Sequence, residues 1–325
     1  MKVIVPLAGL GTRLRPHTHT KPKPLLQVAG KTVLDHVLDR LKDLDIQEVV
    51  FVVGHLGDQI RDHVEANYDF ATTYVEQKEL KGQAHALYLA RDHLAGPVFI
   101  IFVDTIFEAD LGFLKDISSD GVIFVKEVDD PRRFGVVTLQ EGFITRFIEK
   151  PDEPVSNLAL VGMYYVKNSR LLLEGIETVL REDIKTKGEY YLADALQLMV
   201  DRGAKLEIGT VEVWEDCGKP ETLLTTNRYL LRKSGGQEIE TNNSVIIPPV
   251  HVDSSASISN SVIGPYVSIA GEVVIEDSII RDSIIDQGAH IQHAMLSDSL
   301  VGSHASVKGN FKKVDIGDHS SVDLG

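Results

Sequence analysis

The chain has 325 residues, 43% hydrophobic and 25% charged, which exceeds one typical domain and describes a folded globular protein with a sizeable core. Its formal charge of −15, with 48 acidic against 33 basic residues, argues against a nucleic-acid partner, although local cations can still focus on an anionic small molecule. Cys217 is the only cysteine, so an intramolecular disulfide or zinc–cysteine cluster is excluded; no apolar run approaches a membrane span, Lys2–Leu7 is too short for a secretory signal, and the expected compartment is the cytoplasm.

Val3-Ile4-Val5 opens a series of continuous apolar runs that suit strands buried on both faces of a sheet. The run leads into Leu7-Ala8-Gly9-Leu10-Gly11-Thr12-Arg13-Leu14, with Lys21-Pro22-Lys23-Pro24 close behind. Glycines, a hydroxyl and cations directly after a buried strand offer backbone N–H groups and fixed positive charge to a polyphosphate at the sheet edge. A Walker loop is ruled out by the glycine spacing, and a dinucleotide fingerprint would need glycine where Leu14 stands. Val33, Leu34, Val37, Leu38, Leu41 and Leu44 then recur at helical spacing, followed by the strand-like run Val49–Val53. After Glu76-Gln77, the segment Gly82-Gln83-Ala84-His85-Ala86-Leu87 opens a helix expected over residues 83–94.

Val98–Val103 is the next buried run, and Asp104 at its carboxyl end suits a Mg²⁺ ion, which prefers one or two carboxylates plus substrate phosphates; the plainer reading is a helix cap. Val122–Val125 is a further strand, and residues 190–201 a further helix. Strand–helix alternation implies right-handed crossovers and a mainly parallel, Rossmann-like α/β sheet, with its ligand crevice beyond the carboxyl ends of the strands. A domain over residues 1–232 is thus expected, then a linker at 233–243 that includes Ser234-Gly235-Gly236-Gln237.

Residues 244–325 have a different texture, rich in Ser, Ile and Val. Ile263, Ile269 and Ile275 fall six apart, as do Ile285 and Ile291, Val301 and Val307, and Ile316 and Val322. Six-residue steps with an inward aliphatic side chain suit a parallel β-helix with three steps per coil, interrupted near Glu276–Asp286 and Asn310–Val314. Its flat faces stack readily, so homo-oligomerisation is the expected role of this domain. An acyltransferase role would need a histidine base, for which His290, His293 and His304 are the candidates, but no acceptor pocket is apparent.

Gly9-Leu10-Gly11-Thr12-Arg13-Leu14-Arg15-Pro16, with Thr20–Pro24, resembles the signature of the sugar-1-phosphate nucleotidyltransferases. Members of that family commonly carry a left-handed hexapeptide-repeat β-helix, similar to the repeats here. The resemblance implies condensation of a sugar 1-phosphate with a nucleoside triphosphate, in which alignment and charge neutralisation do most of the catalysis. It implies that Leu7, Ala8, Gly9, Gly11, Thr12 and Arg13 bind nucleotide, with Arg13 and Lys23 on the triphosphate; Arg15 and Lys21 read as solvated surface. Asp104, and Asp216 in Trp214-Glu215-Asp216-Cys217-Gly218, match the metal-binding aspartates, so Mg²⁺ is the expected cofactor. Val103 departs from the small residue usual before the first aspartate.

Asp130-Pro131-Arg132-Arg133-Phe134-Gly135-Val136 and Glu149-Lys150-Pro151 resemble the family's sugar-binding blocks. By similarity Gly135 faces the hexose, Glu149 accepts from sugar hydroxyls, Lys150 holds the sugar phosphate and joins Arg13, Lys23 and Asp104 in catalysis, and Leu160, Gly162 and Tyr164 are further sugar contacts. Lys187–Asp194 resembles another block of mostly structural character. Gln77 and Gly82 are the expected base contacts, in a form that looks like thymidylyl- and uridylyltransferases, so dTTP or UTP with glucose 1-phosphate is the expected pair. The alternatives are a mannose-1-phosphate guanylyltransferase, whose usual Leu-Gly-Thr-Ala-Gly run is lacking, and a sugar-nucleotide-binding regulatory subunit, which need not keep the metal carboxylates.

Overall fold

The computed structural model describes residues 1–42, 44–235, 242–310 and 321. These divide into two compact units: residues 1–26 with 31–226, and residues 27–30 with 227 onward.

In chain order the first unit has β1 (Lys2–Pro6), α1 (Val33–Asp39), β2 (Glu48–Val53), α2 (Gly57–Asn67), β3 (Thr72–Glu76), α3 (Gln83–Leu89), β4 (Val98–Ile101), β5 (Gly121–Glu127), β6 (Gly135–Gln140), β7 (Phe143–Glu149), β8 (Leu158–Val166), α4 (Ser169–Arg181), α5 (Leu192–Asp201) and β9 (Leu206–Thr210). The helix α6 (Pro220–Ser234) crosses the division at Thr226. The nine strands form one mixed sheet in the order β3-β2-β1-β4-β8-β5-β9-β7-β6. Parallel pairing holds where the apolar runs predict it, from β3 through β4, and again between β5 and β9. Between these parts β8 runs antiparallel to both β4 and β5, and β7 is antiparallel to β6 and β9.

The cause of the parallel half is visible in its burial. Val3–Val5, Val49–Val52 and Val98–Ile101 are wholly buried, because helices cover both faces. The first helix is shorter than its apolar spacing predicts: α1 stops at Asp39, and the fully buried Leu41 follows in a turn. It begins in a capping box, with the Asp35 amide donating to the Thr32 hydroxyl and the Thr32 amide to the Asp35 carboxylate, each at 3.0 Å. The helices expected at 83–94 and 190–201 are α3, continued by a 3-10 turn at Arg91–His93, and α5, which starts at Leu192.

In the second unit, three sheets of four parallel strands each form a parallel β-helix, consistent with the expected left-handed one. Ile246, Ile263, Ile280 and Leu296 stack in one inward column; Val252, Ile269, Ile285 and Val301 make the second; Ile258, Ile275, Ile291 and Val307 make the third. The stacking shows coils shorter than three six-residue steps, which is why the period breaks near Glu276–Asp286. Ile316, Val322, all but Asn310 of the interruption at Asn310–Val314 and most of the 233–243 linker lie outside the described residues, while Arg232–Ser234 are the last turn of α6.

One corner is built by a repeated device. Asn260, Asp277 and His293 take positive φ near 50° and so turn the chain sharply. In the first two cases a serine follows. The Ser261 hydroxyl donates to the Ser259 carbonyl and accepts the Ser278 amide of the next coil. The Ser278 hydroxyl likewise donates to the Glu276 carbonyl at 2.7 Å and accepts the Ala294 amide at 3.1 Å. Asn227, also buried, is satisfied in the same unit: its amide oxygen accepts from the Ala29 amide and the Ser268 hydroxyl, and its nitrogen donates to the Tyr266 carbonyl.

Among the described residues no helix is long and apolar enough to cross a membrane. Ser278→Ala leaves one buried carbonyl and one amide without this partner, so it should cost about 1–3 kcal/mol. Equilibrium urea unfolding checks this, and an unchanged midpoint would show that water replaces the hydroxyl.

Candidate active site

Three loops leave the carboxyl ends of neighbouring parallel strands together. The first extends the ladder beyond β1, where the Leu7 amide donates to the Val52 carbonyl at 2.7 Å. It turns at Gly11, whose carbonyl accepts from the Thr18 hydroxyl and the Leu14 amide, and Leu14 is fully buried as its anchor. The loop therefore rests on its own core residue, which leaves Thr12 and Arg13 exposed. The second carries Asp104. It differs from the sequence expectation in one respect: β4 stops at Ile101, and Asp104 lies in the turn before the strand Thr105–Glu108. The third holds Gln77 after β3, where its backbone amide donates to the Val53 carbonyl.

These loops border one cleft of about 500 Å³. Leu7, Ala8, Gly9, Gly11, Thr12, Arg13, Lys23, Gln77, Gly82 and Asp104 line it, so every expected nucleotide-side residue except Asp216 reaches it directly. Asp216 ends the strand Val213–Asp216, which pairs antiparallel with Thr105–Glu108 and sets Asp216 opposite Thr105. The Cys217 amide then donates to the Asp104 carbonyl at 2.9 Å. The Asp216 carboxylate accepts the Gly218 amide at 2.7 Å, and a Cβ built on Gly218 would lie 3.0 Å from the Arg13 guanidinium. Asp104, Asp216 and Arg13 thus border the same patch, and both carboxylates are exposed. Arg13 and Lys23 form no ion pair among the described residues. Beneath the patch, burial pushes the Cys217 thiol up to about 12, with the Lys23 charge opposing and those of Asp216 and Asp104 reinforcing it.

Gly135, Glu149, Lys150, Leu160, Gly162 and Tyr164 do not line this cleft, but they gather beside it. A Cβ at Gly135 would sit 2.7 Å from the Glu149 carboxylate and 2.8 Å from Leu160, so any larger residue there would push both side-chain ends aside. The Phe102 amide donates to the Gly162 carbonyl at 2.9 Å, where the β8–β5 register shifts, and Phe102 itself lines the cleft. Tyr164 is buried, and its hydroxyl is held protonated by burial, with the negative charges of Glu149 and Asp104 adding to the effect. The charges of Glu149 and Asp104 thus act on the same hydroxyl. Lys150 donates to the Tyr191 hydroxyl at 3.0 Å and sits 3.7 Å from Glu149. The Tyr191 hydrogen bond holds its ammonium more firmly protonated, against the effect of burial.

Some features were not legible. Glu189, Gln83, Leu80 and Phe102 also line the cleft, and Lys187 donates to the Lys150 carbonyl at 3.1 Å. The Lys187–Asp194 block, read as structural, therefore contributes a wall; its signal was the run of ionisable and aromatic residues, which by itself fits a surface turn equally well. Gly82 takes φ 113° with its α-carbon against Tyr190, where a Cβ would lie 2.6 Å from the Tyr190 carbonyl. His290 and His304 are exposed on the β-helix, and His293 lies at a corner 3.5 Å from Asp277.

Burial raises Glu149 above the ordinary carboxylate range, and Lys150 offsets only part of this. The folded state thus binds this proton more tightly than the unfolded chain. That contribution to stability is complete below the ordinary range and is lost as pH rises through the raised value. Glu149→Gln should gain stability relative to the parent as pH rises from about 3 to about 8. Thermal unfolding across that window checks the sign, and a gain confined to the acidic end would contradict it.

Residues 2–233 match the family model described as Nucleotidyl transferase. A glucose-1-phosphate thymidylyltransferase of Streptomyces griseus is 30% identical over 358 residues, covering 100% of this chain and 99% of that protein. The UTP–glucose-1-phosphate uridylyltransferase AglF of Haloferax volcanii is 36% identical over 230 residues, covering 68% and 93%. A solved UDP-glucose pyrophosphorylase complexed with UDP-glucose shares the fold, with a TM-score of 0.60 at 22% identity over 71% of this chain and 98% of that one. With the family model spanning most of its length and a relative aligned from end to end, this chain belongs to the nucleotidyl transferase family, in its sugar-1-phosphate nucleotidyltransferase branch.

Proposed function

We propose that the protein transfers the nucleotidyl group of UTP or dTTP to glucose 1-phosphate with Mg²⁺, releasing pyrophosphate. The observation that carries the reading is the meeting of an amide-rich glycine loop, two cations without ion-pair partners among the described residues and an exposed carboxylate on one cleft, with a glutamate–lysine pair beside it. The glucose relatives support the sugar, and their thymidylyl and uridylyl names support a pyrimidine nucleotide.

In this reading a phosphate oxygen of the sugar 1-phosphate forms a bond to the α-phosphorus. The bond from that phosphorus to the bridging oxygen breaks on the opposite side, and its electron pair leaves with pyrophosphate. Arg13 grips phosphate oxygens through its planar fork, and Lys23 supplies a compact charge to the leaving group. Lys150 holds the sugar phosphate and Glu149 accepts from sugar hydroxyls. Leu160, Gly162 and Tyr164 complete that wall, and Gly135 leaves room for the ring.

Asp104 and Asp216 would hold the metal. The donor set fits Mg²⁺, a hard cation that takes one or two carboxylates plus substrate phosphates: both are exposed carboxylates on adjoining backbone segments. When bound, the ion would neutralise charge on the triphosphate. The β-helix we read as an assembly domain, because Val245, Ile279 and Met295 form an exposed apolar column along one of its flat faces.

The test is pyrophosphate release from UTP, dTTP, CTP, GTP and ATP with a panel of hexose 1-phosphates. Asp104→Asn and Lys23→Ala should each lower turnover at least ~10²-fold with folding intact. A preference for GTP with mannose 1-phosphate would replace the substrate assignment. A folded parent that binds a sugar nucleotide and turns over none of them would make it a regulatory subunit. Met295→Glu should lower the mass measured by analytical ultracentrifugation, and an unchanged mass would remove the assembly role from this face.

A further inference from the structure

Gln77 is almost fully buried, yet it lines the cleft. Its amide nitrogen lies 3.3 Å from the Gly82 carbonyl and 3.0 Å from His85 Nδ1. A carbonyl can only accept, so the Gly82 contact fixes which end of the amide is nitrogen. The nitrogen has two protons, and the second is directed at the imidazole. His85 Nδ1 must then be an unprotonated acceptor, with the ring proton on Nε2. Both donors of the amide are consumed inside the protein. The remaining atom, Oε1, has no partner among the described residues and is not among the buried polar atoms left unsatisfied.

We propose that His85 is a positioning residue for nucleobase choice: it locks the Gln77 amide so that the oxygen is the atom left for the base, which accepts the imide N3–H of uracil or thymine and is mismatched to the bare N3 of cytosine. This rests on the pyrimidine reading above and adds the group that sets its selectivity. The two pyrimidine classes differ at that edge in the direction of one hydrogen bond. A glutamine free to turn over would serve both, donating from nitrogen to cytosine or accepting at oxygen from uracil. Discrimination therefore requires something that forbids the turn. The Gly82 carbonyl forbids it from one side, and it is held in turn by the Ala86 amide at the start of α3. His85, one turn along that helix, forbids it from the other.

The imidazole suits this task only while neutral. Burial lowers its proton affinity, and Lys81 lowers it further, against a weaker opposing effect of Glu79. A donor at this position, such as a protonated ring, would face the amide nitrogen and favour the reversed glutamine.

The experiment compares kcat/KM for UTP, dTTP and CTP with glucose 1-phosphate in the parent, His85→Leu and His85→Asn. Leucine removes the acceptor, and the ratio of UTP or dTTP to CTP should fall at least tenfold, with CTP turnover rising. Asparagine can set Oδ1 where Nδ1 was, and should keep most of the ratio. A merely structural role would lower all three substrates together and leave the ratio unchanged, which would overturn the inference. If the parent itself prefers a purine triphosphate, the pyrimidine reading falls and the inference with it; if the parent selects UTP or dTTP and the leucine variant keeps that selectivity, the inference alone falls. The parent also permits a test without substrate. Imidazole ¹⁵N shifts should report His85 with Nδ1 bare and Nε2 protonated at neutral pH, and should move in Gln77→Leu; a proton found on Nδ1 would overturn the inference even if His85→Leu did not fold.

Discussion

The placement of the site depends on the register of β1 between two parallel neighbours. Lys2 lies opposite both Glu48 and Val98, so the strands are in step, and the chain segments that leave their carboxyl ends emerge side by side. A polyphosphate site needs several backbone amides and charges from distant parts of the sequence within a few ångströms. The sheet provides this at no local cost, because each loop needs only to be short. Strands buried on both faces cannot slip by one residue without exposing half their side chains. The hydrophobic effect therefore fixes the positions of polar atoms that make no hydrophobic contact themselves.

The wall proposed to hold the sugar is built on another principle. It hangs on β8, the antiparallel strand between the two parallel parts, whose register shifts between Leu160 and Tyr164. That irregularity lets the Gly162 carbonyl reach Phe102, and so ties the wall carrying Glu149 and Tyr164 to the loop carrying Asp104. Regular pairing builds the wall proposed to hold the nucleotide, and a break in pairing builds the other. The proposed site for two reactants thus has one wall set by packing and one set by a local exception.

What the sequence disclosed follows the same division. Continuous apolar runs announced β1, β2, β4 and β5, because burial on both faces leaves no polar residue to blur them. The glycine loop was legible because its chemistry is local. By contrast α2 buries only Ile60 and Val64, too few for its period to stand out. The antiparallel course of β8 leaves no mark in its own residues, since strand direction is a property of its neighbours. The orientation of the Gln77 amide is a matter of His85 and a carbonyl, which no spacing rule encodes. Coil length in the β-helix was misjudged because six-residue steps were read as a fixed count, whereas Ile258 to Ile263 and Ile275 to Ile280 are each one residue shorter.

Those short steps bear on how such a domain tolerates change. In an ordinary strand, adding or losing one residue turns every later side chain to the wrong face. Here the corner residues with positive φ absorb the difference, and the inward aliphatic of the next step returns to its own column. Phase is restored at every corner rather than carried along the chain. Single-residue insertions and deletions should therefore survive at corners such as Asn260 and Asp277 far more often than within the strands between them, which makes this domain open to evolutionary lengthening coil by coil and to engineered extension.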